Sequence, residues 1–135
     1  MNIWSTKWSA SGRAVACVLL GSLMSVAISV AGFAHAHLQK AEPPIDAVVQ
    51  TAPGEVTLWF TQKLEPAFSH VQVFDAEGRR VDQDDSRVDT ADAAVMHVSL
   101  KPLGPGVYKV AWRAVSVDTH VTEGSHIFTV GNSKS

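Results

Sequence analysis

Apolar and polar residues alternate one by one through most of the chain beyond residue 54. In Glu55–Thr61, Val56, Leu58 and Phe60 fall on one face and Thr57, Trp59 and Thr61 on the other. A period of two is the signature of a half-buried strand. Val71 and Val73 flank Gln72, and Phe74 closes that run. Val95–Leu100 and Tyr108–Val117 read the same way, and Thr122–Val130 sets His126, Phe128 and Val130 on a shared face. β-Branched and aromatic residues dominate these positions, as a pleated surface favours. Pro43-Pro44, Pro53-Gly54, Gly78 and the stretch 102–106 punctuate the runs as turns. No segment sustains a helical period. Short strands at this spacing within roughly 100 residues predict an all-β fold, an antiparallel, immunoglobulin-like β-sandwich, with a small barrel as the alternative. The charged segment Asp75–Asp92 is expected to be a solvated hairpin and loop, because its acids lack the glycine-punctuated spacing of a calcium loop.

The front of the chain breaks this pattern. Met1–Arg13 carries Lys7 and Arg13 and no acid, Ala14–Ala31 is uncharged, and Ala34-His35-Ala36 follows. A basic start, an apolar middle and small residues flanking a cut site predict a secretory signal over 1–36, leaving a domain at 37–135. A membrane anchor is the competing reading of the apolar run, but the A-x-A motif directly after it favours cleavage. Export to the periplasm follows.

Cleavage changes the chemistry available. The chain has one cysteine, Cys17, which leaves with the signal. It lies at the start of the apolar run and not after it, which argues against a lipoprotein. The exported part then has no disulfide, and no thiolate for zinc, iron–sulfur or copper(I). Eleven bases stand against thirteen acids in the whole chain, and Lys7 and Arg13 also leave with the signal. Such an acidic balance excludes the basic footprint of a nucleic-acid binder.

Two features remain as candidate chemistry. Cutting after Ala36 makes His37 the first residue, and an N-terminal histidine offers its α-amine and imidazole Nδ1 to one metal. The amine's ordinary pKa, about 7.7–8.0, lets a metal displace its proton near neutral pH. The second feature is Asp118-Thr119-His120 after the Tyr108–Val117 run. In extended backbone, residues two apart project from one face, so the carboxylate and imidazole would meet with Thr119 turned away. His37, Asp118 and His120 together supply three nitrogens and one oxygen, a set that suits copper(II) better than zinc or copper(I). Taken alone, Asp-x-His also fits an Asx-type turn followed by a surface histidine.

The run Tyr108-Lys109-Val110-Ala111-Trp112-Arg113-Ala114-Val115-Ser116-Val117-Asp118-Thr119-His120, with Gly124 and Phe128 after it, resembles the signature of the CopC copper-resistance family. The start His37–Pro43 and the strand ending in Phe60-Thr61 match that family's layout as well. The resemblance implies a Greek-key sandwich or barrel in the periplasm, copper(II) bound by His37, Asp118 and His120, and a role in copper resistance or homeostasis as a carrier or buffer. It also implies a CopD-type inner-membrane protein as partner; a monomer is expected.

Two departures narrow this expectation. Some members carry a methionine-rich copper(I) loop, whereas Met96 is the one methionine beyond Met24 here and reads as packing, so a single copper(II) site is expected. Gln62 stands where many members have glutamate, a poorer axial partner. His126 is a candidate neighbour of the site, Trp112 a candidate shield, and Arg113 a candidate partner for a site carboxylate. His70 and His97 read as ordinary strand histidines, and Trp59, Tyr108 and Trp112 as packing. The rival readings are an oxidative enzyme with a histidine brace and a metal-free interaction module. The first needs open coordination positions and a flat substrate platform, for which a domain this small leaves little room.

Overall fold

The structure, a computed structural model, describes residues 35–131. Among these residues eight strands form two four-stranded sheets, the all-β sandwich expected, and five of the eight are the runs that alternation marks. The first sheet orders β1 (Leu38–Glu42), β3 (Glu55–Phe60), β6 (Val95–Ser99) and β5 (Arg87–Val88). The second orders β2 (Val48–Val49), β8 (Val121–Val130), β7 (Gly106–Val115) and β4 (His70–Phe74). Every described pairing is antiparallel except β2 with β8, which is parallel and joins Val48 to Thr129 and Val49 to Val130.

The inner faces are those the sequence marks. Val56, Leu58 and Phe60 of β3 meet Val71 and Val73 of β4, Val110 of β7 and Phe128 of β8 in one buried cluster. Met96 is fully buried among them, which makes it packing. Tyr108 stacks on Phe128 at 5.5 Å and donates its hydroxyl to Gly104 O at 2.6 Å, so its polar tip is satisfied inside the core. Ala36, ahead of β1, belongs to the same cluster and is fully buried.

Three expectations need correction. The strand after Gly106 ends at Val115 and not at Val117, because Ser116–His120 turn the chain back into β8. Trp59 is not core: it faces outward, where Lys40 Nζ lies 4.5 Å from its ring centroid. The segment Asp75–Asp92 is not wholly solvated, since it contains β5 and the buried Asp82. Asp82 accepts from Val73 N at 2.8 Å, from Asp84 N at 2.9 Å, and from Arg80 at 2.6 and 2.8 Å. Burial opposes its charge, yet the Arg80 guanidinium and the two amides hold its carboxyl below the usual range.

Candidate metal centre

The β7–β8 hairpin places Asp118 and His120. Thr119 N donates to Ser116 O at 2.8 Å, closing a four-residue turn, and Ser116 N donates to His120 O at 2.9 Å, closing the loop. Thr119 then sits at φ 73°, the left-handed residue of a turn-plus-bulge hairpin. That position favours glycine, and a β-branched residue there is strained. Asp118 and His120 are therefore brought together by a turn and not by strand alternation. His120 Nδ1 lies 3.3 Å from Asp118 Oδ1.

Ser116 is the hub of this loop. Its buried hydroxyl donates to Asp118 Oδ1, accepts from His120 N at 3.2 Å and lies 3.3 Å from His120 O. The Ser116 hydroxyl and, behind it, His120 hold the Asp118 carboxyl below its ordinary range, so it is anionic at neutral pH.

The N-terminal histidines arrive from the other sheet. Thr61, one residue past β3, donates its amide to His37 O at 2.9 Å and accepts from His37 N at 3.0 Å through Oγ1. Its hydroxyl also reaches His35 O at 3.3 Å. The same segment is tied to the hairpin, for Leu64 bridges to Ser116 and Val117 N donates to Lys63 O at 3.1 Å. The His35 ring consequently stands edge-on to His120 at 5.0 Å, while the His37 ring lies 6.1 Å from His35.

His35, Asp118 and His120 are thus gathered at one end of the sandwich, with His37 beside them. Among the described residues, no three His, Cys, Asp or Glu side chains form a closed metal cage. One donor of the chelate expected from the sequence is an α-amine, which is not a side-chain group. In the uncut chain that nitrogen is a peptide amide, and the amide of His37 is occupied with Thr61. The donor chemistry present, imidazoles and an anionic carboxylate without thiolate, fits a copper(II) ion.

Spacing does not mark His35, which lies inside the cut motif Ala34-His35-Ala36, although Gly32-Phe33-Ala34 offers small residues at the same two positions two residues earlier. Trp112 packs edge-to-face on Phe60 at 5.1 Å and covers Gly124, and Arg113 pairs with Glu123 at 2.7 Å and not with Asp118. His126 pairs in register with Val110, six residues beyond His120, and its ring nitrogens have no hydrogen-bond partner among the described residues. His97 is held between Glu55 at 3.0 Å and Asp89 at 2.9 Å. Gln62 is half-buried.

A two-sheet β-sandwich that gathers histidines and one carboxylate at a hairpin end has the build of a metal-carrying domain. The CopC domain family model matches residues 38–131, and the chain belongs to the CopC family. Copper resistance protein C of Xanthomonas campestris pv. juglandis is 32% identical over 124 residues, covering 87% of this chain and 96% of that protein. The crystal structure of CopC from Methylosinus trichosporium OB3b aligns with a TM-score of 0.69 at 29% identity, covering 75% of this chain and 98% of that one. The structure of PcoC, a methionine-rich copper resistance protein from Escherichia coli, aligns at 0.61 with 33% identity, covering 72% and 99%. The copper transport protein CutJ of Bacillus subtilis (strain 168) is 33% identical over 110 residues, which span 81% of this chain but 20% of that longer protein. The family is one of copper-resistance and copper-transport proteins, not of enzymes, so the histidine-brace enzyme is set aside.

Proposed function

We propose that this chain is a periplasmic copper(II) carrier or buffer, and that its one site joins Asp118 and His120 to a histidine at the processed N-terminus. The observation that carries the reading is the edge-on approach of an N-terminal imidazole to His120 at 5.0 Å, beside an anionic Asp118. The amine and imidazole of the first residue, the Asp118 carboxylate and the His120 imidazole supply three nitrogens and one oxygen. With neutral imidazoles and amine, the single carboxylate leaves copper(II) with a net charge of +1, and the nitrogen and oxygen donors favour the oxidised ion over soft-ligand copper(I) chemistry. Met96 is buried in the core, which supports a single site.

The first ligand has two possible registers. A cut after Ala36 makes it His37, as the A-x-A motif suggests. A cut after Ala34 makes it His35, and two observations favour this second register: the His35 ring is the one against His120, and Ala36 is part of the buried core. The signal over 1–36 would then be two residues shorter. Intact mass of the exported protein reads the register directly, and the copper(II) dissociation constant of His120→Ala and Asp118→Ala tests the site. Each should weaken binding at least tenfold; wild-type affinity in both would remove Asp118 and His120 from it.

A CopD-type membrane protein is the proposed partner. In CutJ a stretch similar to this chain forms one-fifth of a longer copper transport protein, which supports an association between such a domain and a transporter. The carrier is proposed to act as a monomer.

A further inference from the structure

We infer that two hydroxyls, Ser116 and Thr61, are positioning residues that preset the two halves of the copper(II) site before metal arrives; this rests on the reading of the site just given. Ser116 is 1% exposed, where an apolar side chain is the default and a polar one must repay its desolvation. Its hydroxyl is spent on the ligand turn: it donates to Asp118 Oδ1 and accepts from His120 N at 3.2 Å. One atom therefore fixes both the carboxylate and the backbone of the imidazole ligand. It does so across Thr119, whose left-handed φ of 73° disfavours this turn in an isolated chain.

Thr61 does the equivalent for the N-terminal half. Its hydroxyl accepts from His37 N at 3.0 Å and reaches His35 O at 3.3 Å, and its amide donates to His37 O at 2.9 Å. Residues 35–37 are thereby aligned along the end of β3. The two anchors are mechanically joined, since the segment that follows Thr61 bonds to Val117 through Lys63 and bridges Ser116 through Leu64. Hydroxyls of this kind need not touch the metal; they remove the freedom that the ligands would otherwise lose on binding. Loss of such an outer partner typically lowers metal affinity about 10–100-fold.

The test uses the exported, processed protein titrated with copper(II) against a competing chelator and followed by electron paramagnetic resonance. Ser116→Ala should weaken binding about tenfold or more and alter the copper hyperfine pattern, because the carboxylate and imidazole are no longer locked. Thr61→Val, which keeps the shape and removes the hydroxyl at an exposed site, should also weaken binding, and Thr61→Ser should restore both affinity and spectrum. Folded Ser116→Ala and Thr61→Val with wild-type spectra and affinities within twofold would overturn the inference. If Ser116→Ala does not fold, the Thr61→Val and Thr61→Ser pair decides alone, because a merely structural role would leave the copper spectrum unchanged. A wild-type protein with no saturable copper(II) spectrum would instead sink the site itself, and the positioning role with it.

Discussion

Gly124→Ala perturbs the contact that closes the sandwich next to the hairpin. Gly124 faces Trp112 in the β7–β8 register, and a Cβ built on it lies 2.4 Å from Trp112 Cζ2 and 2.9 Å from Cε2. Carbon atoms rest at about 3.5–4.0 Å, so the indole must retreat by about 1 Å. Behind it stands Phe60, edge-on at 5.1 Å and itself buried, so the retreat compresses the core. Overpacking of this kind costs about 1–3 kcal/mol. Alanine regains about 0.5–1 kcal/mol over glycine within a strand; a contact as short as 2.4 Å puts the clash at the upper end, which leaves a net loss of about 2 kcal/mol. For a domain of this size that lowers Tm by roughly 8–16 °C. Urea unfolding followed by tryptophan fluorescence measures it, with Gly104→Ala, where a Cβ meets nothing within 4 Å, as the control. Gly124→Ala within 0.5 kcal/mol of wild type would refute the close approach of Trp112 to the strand.

Asp82→Ala should cost about 2–3 kcal/mol, because it leaves the buried Val73 amide without its acceptor and takes from Arg80 the closer of its two carboxylate partners; a urea midpoint equal to wild type would contradict this. Since the folded Asp82 carboxyl is held below its ordinary range, its contribution is present above the unfolded pKa near 3.9 and lost as pH falls through the folded value. Acid unfolding of Asp82→Asn should therefore show a weaker dependence on pH in that window. Burial pushes the His126 pKa down, with Asp46 opposing, so the unfolded chain takes up a proton first and stability falls as pH drops below about 6.5. His126→Leu should flatten that dependence, as melting temperatures of the metal-free protein between pH 5 and 7 would show; an unchanged slope would exclude His126 as its source. Thr119→Gly should raise stability by about 0.5–1 kcal/mol by relieving the left-handed turn residue while preserving the copper spectrum. A loss of stability would show that the threonine is unstrained.

Much of the fold is legible because burial in a sandwich imposes the period of two. The alternation in Glu55–Phe60 puts Val56, Leu58 and Phe60 in the core by itself. β2 is not legible: two residues paired in parallel with β8 carry no periodicity. Asp82 escaped for a related reason, since its burial depends on amides and a guanidinium from neighbouring segments and not on its own run of charges. At the candidate site, spacing brings Asp118 and His120 together by strand alternation, whereas in the structure a turn does so. The turn is set by Ser116 and a strained Thr119, neither of which periodicity reports. The position of His35 against His120 depends on how the 61–65 segment joins the two sheets, a long-range relation that no local pattern encodes.

Processing is proposed to complete a copper(II) site on an N-terminal histidine. The most direct measurement compares electron paramagnetic resonance spectra of the exported protein with one equivalent of copper(II), with and without one extra alanine before its first residue. Superhyperfine structure from about three nitrogens is expected in the native protein, and its loss, with weakened binding, when the added residue turns the amine into an amide. Identical spectra and affinities for the two forms would contradict it.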